Sequence, residues 1–432
     1  METSSRDLSL IRKCHRSIYV LALAACLCGC SMGQGNTFAV PEVTEPVQEE
    51  TQITPAAEDS EQDRQGETGE SAENEGPVEE SGAGEDEEDS ISIVMVGDIL
   101  LHDGINKTCR LEDGTYDYLG LFENVRDEIG AADIAIVNQE VIIGGRELKV
   151  TGYPSFNAPY EIADGLASTG FDVVCHATNH VYDRGETGLV NCLRNWEENY
   201  PDITIVGVSD SQREEEIPII EEKGIRVAIL NYTYGTNGVN ISGGDRFSVN
   251  RLKKERVISD LKRAEEEADF TIVCPHWGIE YDLAPSDEQR EWAEVFMENG
   301  ADLVIGTHPH VIQPVEWMED EVNGHRMLVY YSLGNYVNWT SGEGRNIGYR
   351  LVGGMARVRV GHDEGGHVSI TGNDVEALVT HLSKKRDELT VYRLIDYSDR
   401  LGESNEILKQ DPDFSVDYCR DLCDKIWPGM WR

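Results

Sequence analysis

The sequence predicts an α/β sandwich with its helices on the outside, and three observations carry that prediction. Short apolar, β-rich runs alternate along the chain with amphipathic helical ones. The apolar runs are three to six residues long, as suits strands buried on both faces. Five of these runs lead within a few residues into Asp, Asn, Glu or His, and in open α/β sheets functional groups gather at the carboxyl ends of strands.

Taken in order, 91–96 (ISIVMV) reads as a buried strand, and 118–131 as a helix with Leu119, Phe122, Val125 and Ile129 at helical spacing. Next come strand 134–137 (IAIV), helix 160–168, strand 173–175, helix 184–199 and strand 203–206. Strand 227–231, a long charged helix over 251–268, strand 271–274, helix 289–299 and strand 303–305 follow. Strands 327–332 and 354–360 complete the sheets, with strand-like alternation over 345–382. The segment 411–432, with Trp427 and Trp431, reads as a docked helix or clasp. The expected organisation is a domain over 90–400 and a helical extension over 401–432.

The chain has 432 residues, a soft prior of two to three domains' worth. A formal net charge of −44 argues against a duplex nucleic-acid binder, which needs a basic face. Only one apolar run is long enough to consider for a membrane, which excludes a polytopic membrane protein. The acid is concentrated. Residues 42–89 carry nineteen Asp and Glu against one Arg, Arg64, and read as a disordered, self-repelling spacer. Before them, Arg6, Arg12, Lys13 and Arg16 precede an apolar stretch over 17–28 (SIYVLALAACLC), too short for a comfortable span, so 1–29 is expected to be an export signal. It ends in Leu27-Cys28-Gly29-Cys30, which resembles the bacterial lipobox. That resemblance implies a lipid on Cys30, an acidic linker over 30–89, and a domain held at the outer face of a bacterial membrane. Cys109, Cys175, Cys192, Cys274, Cys419 and Cys423 then remain, an even number that permits disulfides without fixing a connectivity. Cys175 and Cys274 sit in apolar runs and read as buried free thiols.

The chemistry lies where the strands end. Asp98 follows ISIVMVG, Asn138 and Glu140 follow IAIV, and Asn179 and His180 lie just past VVCHAT. His276 follows TIVCP, and His308 and His310 follow LVIGT. A lone Asp or His near a turn is more often a cap or a satisfied surface group. Five strand ends in matching positions point instead to one shared site. Carboxylate, carboxamide oxygen and imidazole together suit ions of the Mn, Zn, Fe or Mg class.

These segments also carry a family resemblance. GDILLHD (97–103), NQE (138–140), HATNHVYDRG (176–185), HWGIEYD (276–282), GTHPHVIQPVE (306–316) and YSLGNYV (331–337) resemble the bacterial capsule-synthesis CapA family. The family is named for a role in making or anchoring poly-γ-glutamate. The resemblance implies a four-layer αββα sandwich like that of calcineurin-type metallophosphatases, holding one or two divalent ions. It implies Asp98, Glu140, Asn179, His276, His308 and His310 as metal ligands and His180 as the proton donor or phosphate-steadying His, with Asp183 orienting it. His102, Asn138, Glu280, Tyr281 and Asn335 are expected at the substrate. The sequence departs from the pattern in five places: Leu100 stands where a His is usual, Glu140 where an Asp is, Thr178 where an Asn is, Thr307 where a His is, and His102-Asp103 where Gly-Arg is more frequent.

Three functions are compatible with these features. The first is a cell-surface metal-dependent hydrolase or transferase acting in poly-γ-glutamate or a related surface polymer, beside capsule-synthesis membrane proteins. A polyanionic polymer would have to be drawn by metal and by local basic groups such as Arg184 and Arg345, against the charge of the whole chain. The second is a general phosphoesterase of the exported face. The third is a non-catalytic binding or assembly protein that retains the fold.

Overall fold

The computed structural model describes residues 90–210, 216–240, 247–320, 323–339, 342, 346–363 and 365–432. The expected signal segment, Cys30, the acidic stretch and Arg345 lie outside the described residues. In chain order the strands are β1 (Ile91–Leu100), β2 (Ile134–Asn138), β3 (Val173–Cys175), β4 (Thr204–Val206), β5 (Val208–Asp210), β6 (Ile219–Glu222), β7 (Ile225–Thr233) and β8 (Phe247–Val249). They continue as β9 (Phe270–His276), β10 (Leu303–Ile305), β11 (Val315–Glu319), β12 (Arg326–Tyr330), β13 (Asn335–Asn338), β14 (Val352–His362), β15 (Val368–Leu382) and β16 (Leu389–Arg393).

Two mixed sheets result. The first runs β16-β15-β14-β1-β2-β3-β4, with β13 pairing β1 beyond the end of β14. Its β1 to β4 are parallel, and β14 to β16 are antiparallel additions. The second runs β11-β12-β10-β9-β7-β6, with β7, β9, β10 and β12 parallel and an antiparallel strand at each edge. A pair, β5 and β8, stands apart.

Alternation along the strands builds the layers. In β7, Ile225, Val227 and Ile229 join the large core shared with the first sheet. Their neighbours Ala228, Leu230 and Tyr232 pack instead with Val257, Leu261 and Ala264 of helix Lys254–Glu267 and Phe296 of helix Asp287–Glu298. The period of two along a strand thus serves two cores. Met95, Cys175 and Cys274 meet between the sheets: the Cys274 Sγ lies 3.6 Å from the Met95 Sδ. On the outer side of the first sheet, Ile162 and Leu166 of helix Glu161–Thr169 pack with Phe122 and Ile129. The order is helices, sheet, sheet, helices, the four-layer αββα sandwich.

Several local differences from the sequence reading have plain causes. The expected helix over 118–131 is broken into 3-10 turns at Leu119–Leu121 and Glu123–Val125 and a short helix Arg126–Gly130. Gly120 and Asn124, both poor helix formers, fall inside it. The edge strands β6, β11 and β16 were not expected, because their outward residues are charged or polar and the alternation is short. All six cysteines of the described region are free and buried, so no disulfide joins them. The C-terminal segment packs through helix Val416–Ile426, and the Trp427 indole N–H donates to the Gln313 carbonyl at 2.8 Å. Beyond it, Trp431 pairs with Val375 in a short parallel bridge to β15. Among the described residues no helix is long and apolar enough to cross a membrane.

Asp302, at the entry to β10, accepts the Thr271 N–H at 2.7 Å, and burial pushes its carboxyl up to about 7. The folded value lies above the ordinary one, so the native state holds the proton more tightly. Stability from this group is therefore greatest below about pH 4 and falls as pH rises towards 7, by at most roughly 4 kcal/mol. Asp302→Asn keeps an acceptor for Thr271 without the charge. Thermal melts should show the variant gaining on wild type at pH 8 relative to pH 4. An equal difference at both values refutes the assignment.

Candidate metal centre

Register sets the floor of the site. Across the first sheet, Asp98 pairs with Asn138 on one side and with Asn335 on the other. In the second sheet, Thr233 is level with His276, and His276 bridges Thr307 just past β10. The carboxyl ends of both parallel cores therefore deliver their polar residues to one place. Close backbone passage makes this possible. A Cβ on Gly97 would lie 2.0 Å from the Gly334 carbonyl oxygen, the acceptor of the Asp98 N–H at 3.0 Å. Only glycine admits that crossing, which ties the motif at 97–98 to the one at 331–337.

Asp98 organises the inner side. One carboxylate oxygen accepts the Asn138 amide at 2.7 Å, and the other accepts the His308 backbone N–H at 3.1 Å and lies 3.2 Å from His310 Nδ1. His310 Nδ1 is also 3.1 Å from Asn335 Oδ1, which leaves its Nε2 facing Glu140 Oε1 at 3.6 Å. His276 Nδ1 lies 3.0 Å from the Thr307 hydroxyl, and its Nε2 lies 3.1 Å from Asn179 Oδ1 and 3.7 Å from Glu140 Oε1. His180 completes the ring, with Nε2 4.0 Å from Glu140 Oε1 and Nδ1 2.7 Å from Asp183 Oδ2. The Phe156 backbone N–H donates to the same Asp183 oxygen at 2.7 Å, and the Phe156 ring meets His180 edge-on.

Electrostatics follow from burial. Asp98, Glu140, His276, His308 and His310 are all buried. Burial pushes the Glu140 carboxyl well above the usual carboxylate range, against the pull of His310 and with Asp98 adding to the rise. His276 and His308 are held well below the ordinary imidazole value by burial and by neighbouring histidines. Burial acts downward on His310 too, but Glu140 and Asp98 outweigh it and raise the ring to about 9. His308 and His310 also hold left-handed backbone, at φ 99° and 58°, a conformation that costs of order 1–3 kcal/mol each and gathers at functional sites.

The donor set fits a cation. Both Glu140 carboxylate oxygens, Asn138 Oδ1 and His308 Nδ1 are buried with no hydrogen-bond partner, in a core where such groups are normally paired. Ligand atoms of Glu140, His308 and His310 lie within 4.8 Å of one another. The 3.6–4.0 Å gaps around Glu140 Oε1 are too long for hydrogen bonds and near the spacing of neighbouring ligands at metal–ligand bonds of about 2.0–2.2 Å.

The sequence-predicted residues divide into groups. Asp98, Glu140, Asn179, His180, His276, His308 and His310 come together, with Asp183 behind His180. Asn138 and Asn335 are buried within the centre rather than set at an open surface, and Asn335 spends its amide on the His310 and Arg350 carbonyls. His102 is edge-on to Phe156, with centroids 5.2 Å apart. Tyr281 and Glu280 are at the exposed rim, and the Tyr281 N–H is tied to the Pro309 carbonyl at 2.7 Å. Arg184 is corrected: its guanidinium bonds Thr151, Ser155 and the Asp183 carbonyl and holds the 151–155 loop, so it is spent locally and not offered to a polyanion. Both threonine departures acquire contacts, Thr178 donating to the Glu140 carbonyl at 2.8 Å and Thr307 meeting His276. Asn231 went unnoticed in the sequence. It accepts the Ala177 N–H and donates to the Cys274 carbonyl, both at 2.7 Å, and so fastens the 176–180 loop to β9. Its place near the end of an apolar run was the available signal.

The family model described as "Bacterial capsule synthesis protein PGA_cap" matches residues 92–340, more than half of the chain. The chain belongs to this family. All six motifs lie within the match. Among curated relatives of the PGA_cap chain, the "PGA biosynthesis protein CapA" of Bacillus subtilis (strain 168) is 28% identical over 258 residues, covering 59% of this chain and 65% of that protein. The "Capsule biosynthesis protein CapA" of Bacillus anthracis is 26% identical over 266 residues, covering 59% and 62%. The matched stretch thus spans less than two thirds of either relative's length. Among solved structures, the calcineurin-like phosphoesterase YfkN from Bacillus subtilis aligns with a TM-score of 0.39 at 12% identity, covering 78% of this chain and 99% of that one.

Proposed function

We propose that this PGA_cap protein is a metal-dependent hydrolase or transferase acting on poly-γ-glutamate or a related surface polymer. In this reading it is exported, lipid-anchored through Cys30 at the outer face of the bacterial membrane, and works beside membrane proteins of capsule synthesis. One observation carries the catalytic part: three imidazole Nε2 atoms, of His180, His276 and His310, surround a buried and unpartnered Glu140 oxygen at 3.6–4.0 Å.

Asp98, Glu140, Asn179, His276, His308 and His310 would hold a divalent ion of the Mn, Zn, Fe or Mg class, and one or two ions suit the donor set. Such an ion would supply Lewis acidity and lower the pKa of water at the site. The chain's own residues do the rest. Asp183 fixes the His180 ring through Nδ1, so that Nε2 points into the centre as the group that gives a proton to the departing atom. Buried walls exclude bulk water and strengthen each charge–dipole contact. Thr307, Thr178 and Asn335 keep the ligand-bearing segments in register.

The test is metal analysis of the purified protein beside a panel of phosphomonoesters, phosphodiesters and γ-glutamyl oligomers. Bound divalent metal, with turnover that a chelator abolishes, is expected. Turnover of phosphoesters alone would favour the general phosphoesterase. A protein that takes up no divalent ion and turns over nothing would leave the binding or assembly role.

A further inference from the structure

Strand β7 ends beside the centre but carries none of its candidate ligands. The residue just past it, Tyr234, touches three of them. Its N–H donates to the His276 carbonyl at 3.0 Å, and its ring lies against that of His308, with centroids 4.6 Å apart. Burial raises the Tyr234 phenol, and a hydrogen bond with the Asn179 side chain works the other way. These contacts are made from a fixed backbone. The Thr233 N–H donates to the Asn250 carbonyl and the Thr233 carbonyl accepts the Leu252 N–H, both at 2.9 Å. The turn beyond Tyr234 is closed by the Thr236 hydroxyl, which donates to the Val239 carbonyl at 2.7 Å and accepts from Arg251 at 2.6 Å.

The Asn179 amide has two ends to place. Its Oδ1 lies 3.1 Å from His276 Nε2, a spacing that neighbouring ligands of one ion also have at metal–ligand bonds of about 2.0–2.2 Å. When the two atoms share an ion, neither can hydrogen-bond the other, so the amide has to be oriented from its far end. Oδ1 being committed to the centre, Nδ2 is the end that meets the Tyr234 hydroxyl. Asn179 is buried, and a buried N–H without an acceptor is costly. A cation on Oδ1 draws charge through the amide and makes its N–H a better donor, so this hydrogen bond gains strength in the loaded state. That difference is what lets a residue that touches no ion contribute to ion affinity.

We propose that Tyr234 is a positioning residue of the metal centre, its hydroxyl accepting the Asn179 amide so that Asn179 Oδ1 is aimed at the ion, and its ring walling one side of His308. The proposal rests on the metal-centre reading above and deepens it, naming a residue that lies outside all six motifs. The wall matters because His308 holds left-handed backbone and its Nδ1 has no hydrogen-bond partner, so the ring is not fixed from that nitrogen. Tyr234 itself is 43% exposed, so it adds little to the core, and exchanging phenol for phenyl leaves the fold intact.

Affinity of the full chain for manganese(II) and zinc(II) would be measured by competition with a chromophoric chelator, and melting temperature followed with and without each ion. Tyr234→Phe keeps the ring and loses only the hydroxyl. It should raise Kd for the ion about 10–100-fold, the usual cost of losing a group that orients a ligand, while the metal-free protein melts as wild type does. Tyr234→Leu, which also removes the wall beside His308, should raise Kd further. A Tyr234→Phe protein that binds both ions as tightly as wild type would overturn the assignment. So would an equal fall in melting temperature with and without ion at unchanged Kd, the mark of a purely structural role. The two readings fail differently. Wild type that takes up neither ion removes the centre and this role together, whereas wild type that binds an ion beside an unaffected Tyr234→Phe removes Tyr234 alone and leaves the centre standing.

Discussion

Asp98→Ala should strip the protein of divalent metal. The carboxylate does more than offer one ligand: it accepts the Asn138 amide, accepts the His308 N–H, and sits 3.2 Å from His310 Nδ1. Its removal frees three groups on two segments at once. Losing a single residue that orients a ligand typically costs 10–100-fold in metal affinity, so a loss above about 100-fold is expected here. The thermal consequence is separable. At free metal of about 100 times Kd, wild type should gain about 2.7 kcal/mol, read as a rise in melting temperature, while the variant should gain almost nothing. The metal-free variant should itself be less stable, since each buried donor left unpaired costs about 1–3 kcal/mol, partly offset by relief of the repulsion between Asp98 and Glu140. An Asp98→Ala protein that retains metal and its metal-induced stabilisation would rule out the centre as drawn.

His180→Ala should have the opposite profile. Its Nε2 is the outermost of the three around Glu140, at 4.0 Å, and its Nδ1 is occupied by Asp183. Metal content and melting temperature should stay close to wild type, while kcat on whichever substrate the panel identifies should fall 10²–10⁴-fold, the usual worth of a positioned general acid. Asp183→Asn should cost less, about 10–100-fold, because it disturbs only the orientation of the ring. Loss of metal in His180→Ala would make this residue a ligand instead of a proton donor. Unchanged turnover would remove it from the mechanism.

Much of the centre was legible because its residues follow buried strands directly. An apolar run of three to six residues ending in Asp98, Asn138, His276 or His308 announces both the strand and the end at which chemistry collects. The sandwich was legible for the same reason, since two-sided burial leaves little but Val, Ile and Leu in the parallel strands. What escaped notice depends on long-range contact. Asn231 looks like the end of a strand until Ala177 and Cys274 arrive on either side of it. Phe156 looks like a loop aromatic until its N–H reaches Asp183. Tyr234 acquires meaning only when His308 is folded against it. The edge strands were hidden by their charged outer faces. Arg184 was misjudged because a cation's availability depends on which carbonyls and hydroxyls surround it, and nothing local reveals that.

The candidate ligands are shared between two sheets, and only His308 and His310 are near neighbours in the chain. Either sheet alone carries only three of the six, Asp98, Glu140 and Asn179 on the first and His276, His308 and His310 on the second, and a site seldom exists before its fold does. Ion capture would then be the closing event of maturation, so the cation that occupies the centre is chosen by whatever solution surrounds the molecule when its two halves dock. Reconstituting denatured protein in mixed-ion buffers would reveal that choice directly.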